Sequence, residues 1–125
     1  MGSLVVLIED DPLARFGLAL LLKDWGYSAV AESSLEAAKA ALDGTTAEIA
    51  AIVADFYLGE GKTGVDAALE LAKRAGGAIP TMILSGDFGM SSAGATARHD
   101  FEMLAKPVDP ERLKGWLASA IKPPP

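Results

Sequence analysis

At 125 residues, half of them hydrophobic and 22% charged, the chain has the size and composition of one globular domain with a core of its own. A formal net charge of −6 argues against a surface that grips nucleic acid, and no apolar run is long enough to span a bilayer. Cysteine is absent, which excludes a disulfide framework and thiolate chemistry and fits a reducing cytoplasm.

In chain order, short apolar runs alternate with segments of helical period. Leu4–Ile8 has no polar alternation, as a strand buried on both faces requires. Asp11 followed by Pro12 reads as an N-cap and first-turn proline, opening a helix through Leu22 that stops before Gly26. Ala29–Ala31 is a weaker strand. Ser33 with Glu36 three residues on reads as a capping box before Ala37–Leu42. Ile49–Ala54 is the third strand, and Gly64–Ala75 is a helix closed by Gly76-Gly77. Met82–Leu84 and Met103–Ala105 are the remaining strands. Between them Asp87–Phe101 carries Gly89, Ser91-Ser92 and Gly94, so any helix there is expected to be short and mobile. Asp109-Pro110 repeats the cap-plus-proline start for a last helix to about Ile121. Residues 123–125, three prolines, favour extended polyproline geometry and read as a tail or linker start after a domain of residues 1–122.

Five strands alternating with five helices imply right-handed crossovers and a doubly wound, three-layer α/β sandwich. Such folds bind ligands beyond the carboxyl ends of their strands. Glu9 and Asp10 follow the first strand, Asp55 the third, Ser85 the fourth and Lys106 the fifth, so the fold gathers all five onto one rim. Two carboxylates about 4 Å apart repel by roughly 4 kcal/mol at an effective dielectric of about 20. A cation relieves that repulsion, and an oxygen-only donor set selects Mg²⁺ over zinc. An aspartate held between Mg²⁺ and Lys106 stays ionised and can attack phosphorus, and Ser85 can donate to an equatorial oxygen. Asp11 is read as a helix cap. His99 is read as a surface histidine, and Trp25 and Trp116 as core or rim packing. Gly61-Lys62-Thr63 ends like a phosphate-binding P-loop, but Phe56 stands where that pattern needs glycine, so the stretch is a turn.

VLIEDDP, AIVADFYLG, TMILSGD and LAKPVDP, in this order and spacing, resemble the receiver domain of bacterial two-component response regulators over essentially the whole chain. The resemblance implies a flavodoxin-like (βα)5 domain with a five-stranded parallel sheet in the order 2-1-3-4-5. It also implies metal ligation by Glu9, Asp10, Asp55 and the backbone carbonyl of Tyr57. Asp55 would be the phosphoacceptor, assisted by Ser85 and by Lys106, which precedes a usually cis proline. The implied partner is a sensor histidine kinase or histidine phosphotransfer domain, with no direct nucleic acid and no membrane. A homodimer would form through the face of the last helix and strand, and the implied location is cytoplasmic. Such a domain catalyses its own phosphorylation and dephosphorylation, with no separate substrate turned over. Three departures stand out: Glu9 where Asp is commoner, a longer arm expected to reach the metal through water; Met103 where the family's switch aromatic stands; and His99-Asp100 where Gly-Ala is frequent. The motif style is nearer to receivers fused to hybrid histidine kinases than to those preceding a DNA-binding domain. Two other readings compete: a dehalogenase-like aspartyl phosphatase, which needs an acid/base Asp where Tyr57 stands, and a binding module that is not phosphorylated.

Overall fold

The computed structural model describes residues 2–86, 94, 99 and 101–121. Five strands, β1 (Leu4–Ile8), β2 (Ser28–Glu32), β3 (Ile49–Asp55), β4 (Thr81–Ser85) and β5 (Glu102–Ala105), form one parallel sheet in the order β2-β1-β3-β4-β5. This is the expected topology. Among the described residues there are four helices of regular length: α1 (Pro12–Asp24), α2 (Leu35–Leu42), α3 (Gly64–Ala75) and α4 (Pro110–Ala120). The short helix expected within Asp87–Phe101 lies almost wholly outside the described residues. None of the described helices is long and apolar enough to cross a membrane.

The apolar strands sort their side chains to two faces because successive residues of a strand point in opposite directions. Leu4, Val6 and Ile8 of β1, with Ile52 and Ala54 of β3, pack against Leu35, Ala38 and Leu42 of α2 and Val65, Ala68 and Leu71 of α3. Val5, Leu7 and Val53 point the other way, against Leu18 and Leu22 of α1 and Leu113 and Leu117 of α4. Each central strand therefore buries both faces, which is why β1 shows no polar alternation. The edge strand β2 is the exception: its residues are exposed or half-buried, and its apolar signal in the sequence is correspondingly weak.

The helix starts follow the expected chemistry with one correction. Asp11 and Asp109 cap α1 and α4, each followed by proline, and Asp11 Oδ2 accepts from the Ala14 N–H at 3.0 Å. At α2 the cap is Ser34 rather than Ser33: Ser34 is extended (φ −150°, ψ 163°) and its Oγ accepts from the Ala37 N–H at 3.1 Å. Glu36 thus sits at the second helical position, not the third, and the expected capping box does not form. Its carboxylate pairs with Lys62 across the helix layer instead, at 2.9 Å.

Candidate active site

Strand register alone brings the candidate residues together. Ile8 is level with Ala54 and Asp55 with Leu84, while Ser85 is level with Ala105. Glu9, Asp55, Ser85 and Lys106 therefore leave the sheet side by side at its carboxyl edge. The Lys106 N–H donates to the Ser85 carbonyl at 2.9 Å, extending the ladder one residue past β5. The Lys106-Pro107 bond is cis.

The side chains close the arrangement. One carboxylate oxygen from each of Glu9, Asp10 and Asp55 lies within 4.8 Å of the others. Lys106 Nζ stands 2.8 Å from Glu9 Oε1 and 3.0 Å from Asp55 Oδ2, bridging the two acids. Glu9 is fully buried, Asp55 nearly so, and Asp10 is exposed. Burial pushes the Glu9 carboxyl up to about 7, and its contact with Asp55 pushes the same way, against the pull of Lys106. For Lys106 burial works against the charged form, but the hydrogen bonds to Glu9 and Asp55 outweigh it and raise its pKa. The cluster thus holds more negative charge than one ammonium neutralises.

The donor set suits a hard divalent cation. It consists of oxygens only, and Glu9 Oε2 is buried without a hydrogen-bond partner among the described residues. A buried carboxylate oxygen with no donor is costly unless a cation or a bound water faces it. Tyr57 lies two residues past Asp55, in a turn closed by its bridge to Thr63, with its ring exposed and edge-on to Phe56. Ser85 is buried at the end of β4. The turn that mimics a P-loop runs through left-handed backbone at Gly59, Glu60 and Gly61 and delivers Thr63 as the cap of α3. Lys62 is held by Glu36 rather than facing the acids. His99 is exposed, its ring 5.9 Å from that of Phe101. Trp25 and Trp116 are half-buried against the core shared with α1 and α4.

Two contacts were not foreseen. Lys106 binds Glu9 directly, and Arg15 Nη1 donates to the Glu9 carbonyl at 2.9 Å, pinning the chain where β1 turns into α1. The only sequence signal for the second was an arginine in the first turn of α1. Size does not pick out the site. A cavity of about 680 Å³ lies between α2 and the turn after β3, lined by Leu58, Lys62 and Glu70 among others, and does not touch the acids. A groove of about 410 Å³ runs from Glu9 and Lys106 along α1, floored by Ala14, Gly17, Leu18, Leu21 and Val108. Only the second reaches the charged cluster, through Glu9 and Lys106.

Comparisons with known proteins bear on the family and the fold. A family model described as "Response regulator receiver domain" matches residues 5–118. The phyllosphere-induced regulator PhyR of Methylorubrum extorquens is 27% identical over 123 residues, which make up 97% of this chain and 44% of that protein. The chain thus spans less than half the length of this curated relative. A receiver domain from Clostridium thermocellum superposes with a TM-score of 0.82 at 21% identity, covering 95% of this chain and 94% of that one. A response regulator receiver protein from Pseudomonas putida gives 0.80 at 24% identity, covering 95% and 98%. The chemotaxis protein CheY4 of Vibrio cholerae gives 0.81 at 18% identity, covering 96% and 99%. At these identities the structural matches establish the fold.

Proposed function

The chain belongs to the response regulator receiver-domain family of two-component signalling, and from that premise we propose that Asp55 is its phosphoacceptor, loaded from a phosphohistidine. The donor would be a sensor histidine kinase or a histidine phosphotransfer domain, and the reaction would take place in the cytoplasm. An Asp55 carboxylate oxygen attacks phosphorus, the P–N bond to the donor imidazole breaks, and the imidazole nitrogen keeps the electron pair. The product is an acyl phosphate on Asp55. Glu9, Asp10, Asp55 and the Tyr57 carbonyl are the groups that would hold Mg²⁺, which neutralises charge on the transferring group when bound. Lys106 pairs with Asp55 before attack and would balance phosphoryl charge afterwards. The Ser85 hydroxyl, at the end of β4, would donate to a phosphoryl oxygen.

The observation that carries this reading is the bridge from Lys106 to both Glu9 and Asp55, at 2.8 and 3.0 Å, beside a third carboxylate. Access for a protein donor is along α1, where Leu13, Phe16 and Leu20 are 80%, 64% and 51% exposed beside the groove that ends at Lys106. An apolar stripe this bare is the expected footing for a partner helix. Phosphorylation then biases a two-state equilibrium read out at the face of β5 and α4, which is also the candidate homodimer surface. Met103 stands on β5 in place of the usual aromatic, half-buried, so the readout there rests on an aliphatic thioether side chain.

The test is incubation with acetyl phosphate and Mg²⁺, read by intact mass. One phosphoryl group is expected on the wild type and none on Asp55→Asn. An adduct that persists in Asp55→Asn overturns the assignment. A chain that binds no Mg²⁺ and takes no phosphoryl group is the unphosphorylated binding module. Multiple turnover of a small phosphoester would mark the phosphatase, whose second aspartate is Tyr57 here.

A further inference from the structure

We infer that Gly64 is a positioning residue for Asp55, and that its missing side chain is what allows α3 to close on the phosphoacceptor. This rests on the reading of Asp55 just given. Gly64 is buried, and its backbone is outside the left-handed region, so conformational freedom is not what the position demands. Space is. A Cβ at residue 64 would lie 2.3 Å from the Asp55 carbonyl oxygen, 3.1 Å from the Asp55 carbonyl carbon and 3.0 Å from Ala54 Cβ. The backbone at Gly64 is tied in as well, its N–H donating to the Phe56 carbonyl at 2.8 Å. The first turn of α3 therefore seats directly on the peptide that carries the nucleophile.

An alanine here forces one side to give by about 1 Å. The helix resists, because Val65, Ala67, Ala68 and Leu71 are all buried against the sheet. The strand end is the softer side, since β3 finishes at Asp55 and the chain beyond it is a turn through Gly59 and Gly61. The displacement thus falls on Asp55 and Tyr57, the residues whose placement the reaction needs. Misplacing a reacting group by about 1 Å can cost about 100-fold in rate.

The experiment compares wild type, Gly64→Ala and Leu117→Ala, the last a loss of core volume on α4, at the opposite face of the sheet. All three are measured in the same trimethylamine N-oxide solution, which favours the compact state, with folding checked by circular dichroism. Mg²⁺ affinity is read by calorimetry and the rate of labelling by acetyl phosphate from intact mass. The expected result is a drop in Mg²⁺ affinity of about tenfold and in labelling rate of about 10- to 100-fold for Gly64→Ala, with Leu117→Ala close to wild type. If the two variants agree within about twofold on both readouts, the inference is overturned. It is also overturned if Gly64→Ala stays unfolded in the osmolyte, because the residue then serves the fold as a whole. If the wild type takes no label, the reading of Asp55 fails and the Mg²⁺ affinities alone decide the role of Gly64.

Discussion

Replacing Lys106 with methionine should destabilise the metal-free protein in a way that grows with pH. The ammonium lies 2.8 Å from Glu9 and 3.0 Å from Asp55, and at an effective dielectric of 20 each attraction is about 5–6 kcal/mol before desolvation is subtracted. Because the lysine side chain is 28% exposed, the net loss is nearer the lower end of the range for broken buried pairs, about 2–3 kcal/mol at pH 8. Glu9 limits the damage by taking up a proton. Its carboxyl already sits at about 7 in the folded chain against an ordinary 4.5, and losing the lysine raises it further. A raised carboxyl favours folding where it is protonated, and that advantage disappears as pH rises from the unfolded value through the folded one. The wild type should therefore lose on the order of 2 kcal/mol between pH 5.5 and 8, and the variant at least about 1 kcal/mol more. At pH 5.5 the deficit should shrink to about 1 kcal/mol, mostly the lost pairing with Asp55. Urea unfolding in EDTA at the two pH values measures this. Adding Glu9→Gln to Lys106→Met should recover the pH-dependent part, since the fully buried position 9 then carries no charge, and leave the smaller deficit from the lost Asp55 pairing. A deficit that is constant or smaller at pH 8, or no recovery in the double variant, would refute the charge-balance reasoning.

Mg²⁺ should raise the melting temperature of the wild type and have little effect on Asp10→Asn, as followed by thermal unfolding with and without the ion. Because binding must displace the proton that Glu9 holds at about 7, calorimetric Mg²⁺ affinity should be about tenfold weaker at pH 6 than at pH 8. An affinity flat across that range would mean that Glu9 is not part of the metal's electrostatic environment. At the start of α2, Ser34→Ala should cost about 1 kcal/mol and Ser33→Ala only a few tenths in denaturant unfolding, because Ser34 alone accepts from the helix N–H of Ala37.

What was legible in the sequence follows from how a parallel sheet is made. An unbroken run such as Leu4–Ile8 or Ile49–Ala54 announces burial on both faces, and the residue after each run must then stand at the same edge. The gathering of Glu9, Asp55, Ser85 and Lys106 is thus a consequence of strand ends, and needs no knowledge of side-chain contacts. The α2 cap shows where that reasoning weakens. Ser33, Ser34 and Glu36 satisfy two competing start patterns, and the choice between them is made by where β2 ends, at Glu32, and by Lys62, which is remote in sequence and draws Glu36 away from the helix terminus. Gly64 was hidden for a similar reason: a glycine at a helix start looks like a turn residue until the strand it touches is in place.

Glu9 carries the same lesson into the chemistry. Its longer arm was expected to reach a metal through water, which treats the extra methylene as slack. In the fold the arm is fully buried and its two oxygens are divided. Oε1 is held by Lys106, and Oε2 has no hydrogen-bond partner among the described residues. A shorter aspartate at this position would give up reach toward Lys106, which would then lean more on Asp55. The glutamate thus shares the ammonium between two acids and keeps Asp55 from being neutralised by its lysine alone, while the unpartnered oxygen adds negative potential where a cation would sit. A cation bound here would compete with the Glu9 proton near neutral pH, where an ordinary exposed aspartate pair would already be ionised.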